Sequence, residues 1–178
     1  DRGLRIIEKL VKTLKIENIQ YTVIGGGAEE QNLKKLVANL ELQNNVRLLG
    51  AINHSEVSYH LKCSVCLISM YTSSNVGNPL LEAIRLNKPI VTLNNGDTGS
   101  WVSHKFNGLI YPIDDKKDLQ DEDYLTIASD IKKNIIEDTS LYEALVRNAA
   151  TVANQKLWTW QERMDKEIYE VNSLIEKE

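Results

Sequence analysis

Stretches whose apolar residues recur at helical spacing alternate along this chain with apolar runs too brief for anything but a strand. That order is the sequence mark of βαβ units around a parallel sheet. Leu4, Ile7, Leu10, Val11 and Leu14 form a helical stripe, and Ile19 to Ile24 reads as a strand running into Gly25-Gly26-Gly27. A helix over about Glu29 to Leu42 follows, then a strand Val46 to Leu49, a short helix Ser55 to Lys62, and a strand Val65 to Met70. The last is apolar on both faces, which places it in the middle of a sheet. Pro79 starts a helix through Leu86, in the first turn where its missing N–H costs nothing, and Pro89 separates that helix from a strand Ile90 to Leu93. Gly108 to Tyr111 is the last predicted strand, so the sheet is complete by about residue 112; helices follow at Asp123 to Ile136, Leu141 to Val152 and Thr159 to Ile175. The expected fold class is α/β, a Rossmann-like doubly wound parallel sheet with extra C-terminal helices.

Composition narrows the function. With 178 residues, 42% of them apolar, the chain suffices for a single domain that buries roughly 70% of its unfolded surface. No repeat and no linker rich in Pro, Gly or Ser divides residues 1–178. Apolar runs such as Ile24 to Ala28 fall far short of the roughly 20 residues a membrane span needs. The 21 basic and 25 acidic residues are mixed along the chain, so no field gathers a phosphate polymer and nucleic acid is not an expected partner. The acid-rich segment Asp114 to Asp123 also carries lysines and reads as a solvated loop before a helix. Cys63 and Cys66 are too few for a disulfide framework, lack the second pair of a zinc site, and lead into a strand rather than out of a helix start. Two small core thiols in a reducing, cytoplasmic setting are expected. His54, His60 and His104 fall in separate elements without ligand spacing, so neither a metal nor a cofactor is expected. The chain opens at Asp1-Arg2-Gly3, without a methionine or a leader and already inside an amphipathic pattern, and reads as a piece of something longer.

Two segments carry candidate chemistry. Gly25-Gly26-Gly27-Ala28-Glu29-Glu30 lies where a strand turns into a helix, the place of a dinucleotide fingerprint. Glu30 occupies the position that should be small, and Gly50 and Ala51 stand where the acidic ribose ligand would be. Glycines that permit a tight turn and a close backbone approach explain the segment better. Tyr71 to Glu82 is a polar loop at the carboxyl end of a strand, and it brings free backbone N–H groups to a helix start, an arrangement that favours phosphate. Glu82, one turn into that helix, cannot bind phosphate and suits vicinal sugar hydroxyls. The residues are equally compatible with a ribose-and-phosphate site and with a capped helix bearing a surface glutamate.

Seven segments stand in a telling order. They are Arg2-Gly3 before a helix, Tyr21 to Gly27, Asn45-Val-Arg-Leu-Leu-Gly50, Gly77-Asn-Pro-Leu-Leu-Glu-Ala83, Asn87-Lys-Pro-Ile-Val91 with Asn107 to Pro112, and the terminal helix led by Trp160. This order resembles the carboxyl-terminal, donor-binding domain of the GT-B glycosyltransferases of family 4, also called group 1. The resemblance implies a nucleotide-diphosphate sugar as substrate rather than cofactor, and transfer of its sugar with retention. In such enzymes a basic residue before the first glycine holds the donor diphosphate, the position of Arg2. The loop and helix start, here Val76, Gly77 and Asn78, supply N–H groups to phosphate and sugar. The second glutamate of the E-x7-E signature accepts from ribose hydroxyls and is matched by Glu82, and the base rests beside Ala51 and Ile52. The resemblance further implies a glycan or lipid-linked acceptor, held by an N-terminal half that is missing here and through which the whole enzyme sits at the inner face of a membrane. Residues 159–178 would form a helix crossing toward that half, with Trp158 and Trp160 as packing anchors and an exposed apolar face.

The departures matter equally. Ser74 stands where the family has the first glutamate of its signature. A hydroxyl cannot hold a hexose hydroxyl as a carboxylate does, nor stabilise positive charge at the anomeric carbon, so no catalytic residue is assigned. Either Asn75 or Asn78 holds the sugar differently, or the domain has lost catalytic power. Ser100 likewise stands where many relatives carry a glutamate. The alternatives to a transferase half are a non-catalytic nucleotide-sugar-binding partner subunit and a dinucleotide-binding domain resting on Gly25 to Gly27.

Overall fold

The computed structural model describes residues 1–72, 76–114 and 117–175. Helix α1 (Arg2–Glu8) runs on through a π-helical turn (Lys9–Thr13) and precedes β1 (Tyr21–Ile24), α2 (Glu30–Asn39), β2 (Val46–Gly50), α3 (His54–Cys63) and β3 (Leu67–Ser69). Next come α4 (Asn78–Arg85), β4 (Ile90–Asn94), the single turn α5 (Thr98–Trp101) and β5 (Gly108–Pro112). The rest is helical: α6 (Asp121–Ile131) with a π-helical turn (Lys132–Glu137), α7 (Thr139–Lys156) and α8 (Trp160–Ile175).

The strand pairs are parallel, with β1 beside β2, and β4 between β3 and β5. Successive strand residues point to opposite faces, and the side chains sort accordingly. Ile68, Val91, Leu93, Leu109 and Tyr111 join a core covered by Leu4, Ile6, Ile7 and Leu10 of the first helix, Val37 of α2, and Tyr124, Ile127 and Ile131 of α6. Leu67, Ile90 and Ile110 face the other way, onto Leu61 of α3, Leu80, Ala83 and Ile84 of α4, and Val152 and Ala153 of α7. Helices on both faces of a parallel sheet make the doubly wound fold that the alternation predicts.

Several particulars differ from expectation. The middle strand is β4, whose Ile90 to Leu93 are all buried; β3 is only Leu67–Ser69 and hydrogen-bonds to β4 alone among the described residues. Ile68 packs against the same core as Tyr21 and Val23 of β1, and among the described residues no ladder pairs β3 with β1. Val65, counted as strand, is exposed, and Cys63 is an exposed residue rather than a core thiol. Cys66 does pack against the core, and burial pushes its thiol up to about 12. The described part of the acid-rich segment is largely exposed and leads into α6, and it also carries ion pairs. Asp118 pairs with Arg2 at 2.9 Å and Asp121 with Lys9 at 2.6 Å, fastening the start of α6 to the first helix. Trp160 is exposed, and Trp158 lies under the Lys166 ammonium. Trp160, Ile168, Val171 and Leu174, which share one face of α8 at helical spacing, are all exposed. Among the described residues no helix is long and apolar enough to cross a membrane.

Candidate functional site

In an open parallel sheet the connections at the carboxyl ends of the strands surround a crevice where the winding reverses. Here the chain leaves β1 toward β2 and leaves β3 toward β4, so the reversal falls between β1 and β3. The described residues that follow β1, β2 and β3 lie at this end of the strands.

The β1 and β2 segments lie against each other. Gly25 N–H donates to the Gly50 carbonyl at 2.8 Å, and a Cβ on Gly26 would come within 3.4 Å of the Ala51 nitrogen. Gly25 and Gly27 have φ of 127° and 148°, values that side chains oppose. The tight-turn reading therefore accounts for these glycines without a dinucleotide. Ala51 and Ile52 follow at once, and Asn53 then caps α3 reciprocally: its Oδ1 accepts from Glu56 N–H at 3.0 Å while its own N–H donates to Glu56 Oε2 at 3.2 Å.

Helix α4 begins with Gly77 in extended conformation as its cap and Pro79 in its first turn. Leu80, Ala83 and Ile84 are buried and fix how the helix sits. Glu82 is thereby turned toward α3. Its Oε1 lies 3.2 Å from His54 Nε2, with the glutamate side chain 27% exposed and the histidine 78%. The Leu80 and Leu81 N–H groups donate to the Gly77 carbonyl, whereas those of Val76, Gly77 and Asn78 meet no acceptor among the described residues. The helix start thus presents free donors and a favourable dipole to an anion. The segment after β3 is held at its base by Asn95, whose Nδ2 donates to the Tyr71 carbonyl and whose Oδ1 accepts from Thr98 Oγ1 at 3.1 Å. Ser74 and Asn75 lie outside the described residues.

The predicted site residues therefore fall into two groups. Glu82, Val76, Gly77 and Asn78 share one helix start, and Ile52 is two residues from the histidine that Glu82 meets. Arg2 is engaged elsewhere: its Nε and Nη2 both donate to Asp118 Oδ1, at 3.2 and 2.9 Å, beyond the carboxyl end of β5. That hydrogen bond, then one from the Leu119 N–H, holds the Asp118 carboxyl below the usual carboxylate range. Ser100 meets Lys156 through its carbonyl. A polar hollow of about 370 Å³ opens at the other end of α4, between Arg85, Asn154 and Glu162. Sequence reasoning missed His54 and Asn95 as parts of this region; the only signal for His54 was its place at the start of the helix after Ile52.

Comparison with known proteins agrees with this fold. The family model of glycosyl transferases group 1 matches residues 2–151. The 2-deoxystreptamine N-acetyl-D-glucosaminyltransferase of Niallia circulans is 27% identical over 132 residues, which are 73% of this chain and 34% of that protein. The pneumococcal O-GlcNAc transferase GtfA, solved in complex with UDP and GlcNAc, superposes with a TM-score of 0.80 at 19% identity, over 98% of this chain and 33% of that one. The C-terminal domain of a glycosyl transferase group 1 family protein from Francisella tularensis superposes with a TM-score of 0.68 at 17% identity, over 87% of this chain and 79% of that one. At these identities the superpositions speak for the fold. The chain spans about a third or less of the length of the curated relatives it matches.

Proposed function

The chain belongs to the group 1 glycosyl transferases, and from that membership we propose that it is the donor-binding, carboxyl-terminal domain of a GT-B enzyme that transfers a sugar from a nucleotide diphosphate to a glycan or lipid-linked acceptor. The observation that carries the reading is the placement of Glu82. It projects from the start of α4 toward the segment after β2, beside the free N–H groups of Val76, Gly77 and Asn78.

In this reading the ribose hydroxyls donate to Glu82, the base lies along Ala51 and Ile52, and the diphosphate takes the helix-start N–H groups. As the bond from the anomeric carbon to the phosphate oxygen breaks, its electron pair passes to the diphosphate, and donors already aimed there lower the cost of the developing charge. Arg2 adds to this once its guanidinium leaves Asp118. The acceptor oxygen bonds to the anomeric carbon, and its proton passes to the departing diphosphate. Retention, as in family 4, and placement at the inner face of a membrane through the other half are parts of the same proposal. So is the crossing of residues 159–178 toward that half, to which the exposed apolar face of α8 is suited.

Titration calorimetry of the full-length protein with UDP and GDP tests the reading. One of the two is expected to bind, and Glu82→Ala to weaken it about tenfold or more, since a buried charge-assisted hydrogen bond contributes about 1.5–3 kcal/mol. Binding of neither nucleotide overturns it. Ser74 favours a second reading, a nucleotide-sugar-binding partner subunit without catalysis. Measured sugar transfer by the full-length protein alone would eliminate that alternative.

A further inference from the structure

The contact between His54 and Glu82 joins two rigid elements at the point where the proposed ribose ligand must be held still. His54 is the first residue of α3, and its backbone is fixed by the reciprocal cap of Asn53 and Glu56, to which Ser55 Oγ adds a hydrogen bond to Asn53 Oδ1 at 2.5 Å. Glu82 stands on α4, whose buried Leu80, Ala83 and Ile84 share one apolar cluster with Leu61 of α3. The two side chains meet at 3.2 Å, and the histidine is the more exposed, so it lies on the solvent side of the carboxylate.

Resting on the reading of Glu82 as the ribose ligand, we propose that His54 is a positioning residue for nucleotide binding: its Nε2–H donates to Glu82 Oε1 and fixes the carboxylate so that Oε2 faces the ribose hydroxyls. A glutamate has three side-chain torsions, and ordering them at the moment of binding costs affinity. A hydrogen bond made beforehand from a capped helix removes part of that cost. A carboxylate has about four acceptor positions, so one donor from histidine leaves room for vicinal hydroxyls.

The experiment is a double-mutant cycle on the full-length protein, read by calorimetry with whichever of UDP and GDP binds more tightly. Because His54 is 78% exposed, its replacement should leave the thermal midpoint in place, which is checked first. His54→Ala is expected to weaken binding about fivefold, the range of one net hydrogen bond. His54→Gln, which keeps a donor at similar reach, should regain most of that loss. In a Glu82→Ala background, which removes the acceptor, His54→Ala should change Kd by less than about twofold. Unchanged binding by His54→Ala while Glu82→Ala weakens it overturns the proposal and leaves the donor site standing. An equal loss in both backgrounds also overturns it, because the histidine would then act on the ligand and not through Glu82. Failure of the unaltered protein to bind either nucleotide overturns the donor-site reading and this inference with it.

Discussion

Gly108 opens β5 directly opposite Ile90 of β4, and the structure leaves no room there for a methyl group. A Cβ at that position would lie 2.3 Å from the Ile90 carbonyl oxygen, 3.0 Å from the Ile90 nitrogen and 2.9 Å from Val102 Cγ1. Carbon meets a carbonyl oxygen comfortably at about 3.3 Å or more, so Gly108→Ala requires a displacement of roughly 1 Å. The Val102 side chain could give that much, but the other two obstructing atoms, the nearest among them, are main chain of the strand with neighbours on both sides. Overpacking a core costs typically 1–3 kcal/mol when side chains relax; with backbone in the way the expected loss is about 3 kcal/mol. At about 2–4 °C per kcal/mol for a chain of this size, thermal denaturation followed by circular dichroism should show the midpoint falling by roughly 6–12 °C. The same substitution at Gly77 is the control. Its φ is −83° and a Cβ there meets only Pro79 Cδ, at 3.6 Å, so only the preference for glycine over alanine at a helix cap is lost, about 1 kcal/mol or less. If Gly108→Ala lowers the midpoint no more than Gly77→Ala does, the close approach of β5 to β4 is not as tight as this account requires.

Two further outcomes are expected. Asp118→Ala should raise affinity for the nucleoside diphosphate two- to threefold at low salt, because it frees Arg2 from an exposed ion pair, and the gain should shrink with added salt; a loss of affinity would show that Arg2 does not serve the diphosphate. The pair depresses the folded-state carboxyl, so its contribution is present at neutral pH and lost as pH falls through the acidic range below about 4. Iodoacetamide at pH 8 should modify the exposed Cys63 and spare Cys66 in the native protein, with peptide mass spectrometry as the readout, since a thiol pushed up to about 12 is almost wholly protonated there. Burial also pushes Tyr21 up to about 12. Both groups are raised on folding, so the stability they lend is complete below about pH 9 and is lost between there and about pH 12; a flat midpoint across that span would contradict their burial.

What the sequence makes legible here is what short-range rules govern. Ile90 to Leu93 are apolar without interruption and become the buried central strand, and the glycine and proline around Asn78 mark where α4 starts. Elements fail to show where one distant contact decides them. The strand expected from Ile19 begins at Tyr21, because Asn45, 26 residues on, takes the Ile19 carbonyl with its Nδ2 at 3.0 Å. The turn Thr98–Trp101 is too short to carry a period and contains Gly99 and Ser100, poor helix formers; it exists because Asn95 receives both the Thr98 N–H and its hydroxyl. Arg2 was legible as a cation, yet its partner is 116 residues away.

The same division runs through the site. That Glu82 stands one turn into a helix beside free N–H groups follows from local pattern, but the group it faces depends on how α3 and α4 are turned about their axes. Leu61, Leu80 and Ala83, all in one buried cluster, set that relation. Enlarging Ala83, which is fully buried, should therefore part His54 from Glu82 while leaving both residues and both helix starts unchanged. The identity of the ribose ligand is written in its own segment; its geometry is written in a core that touches neither side chain's polar atoms.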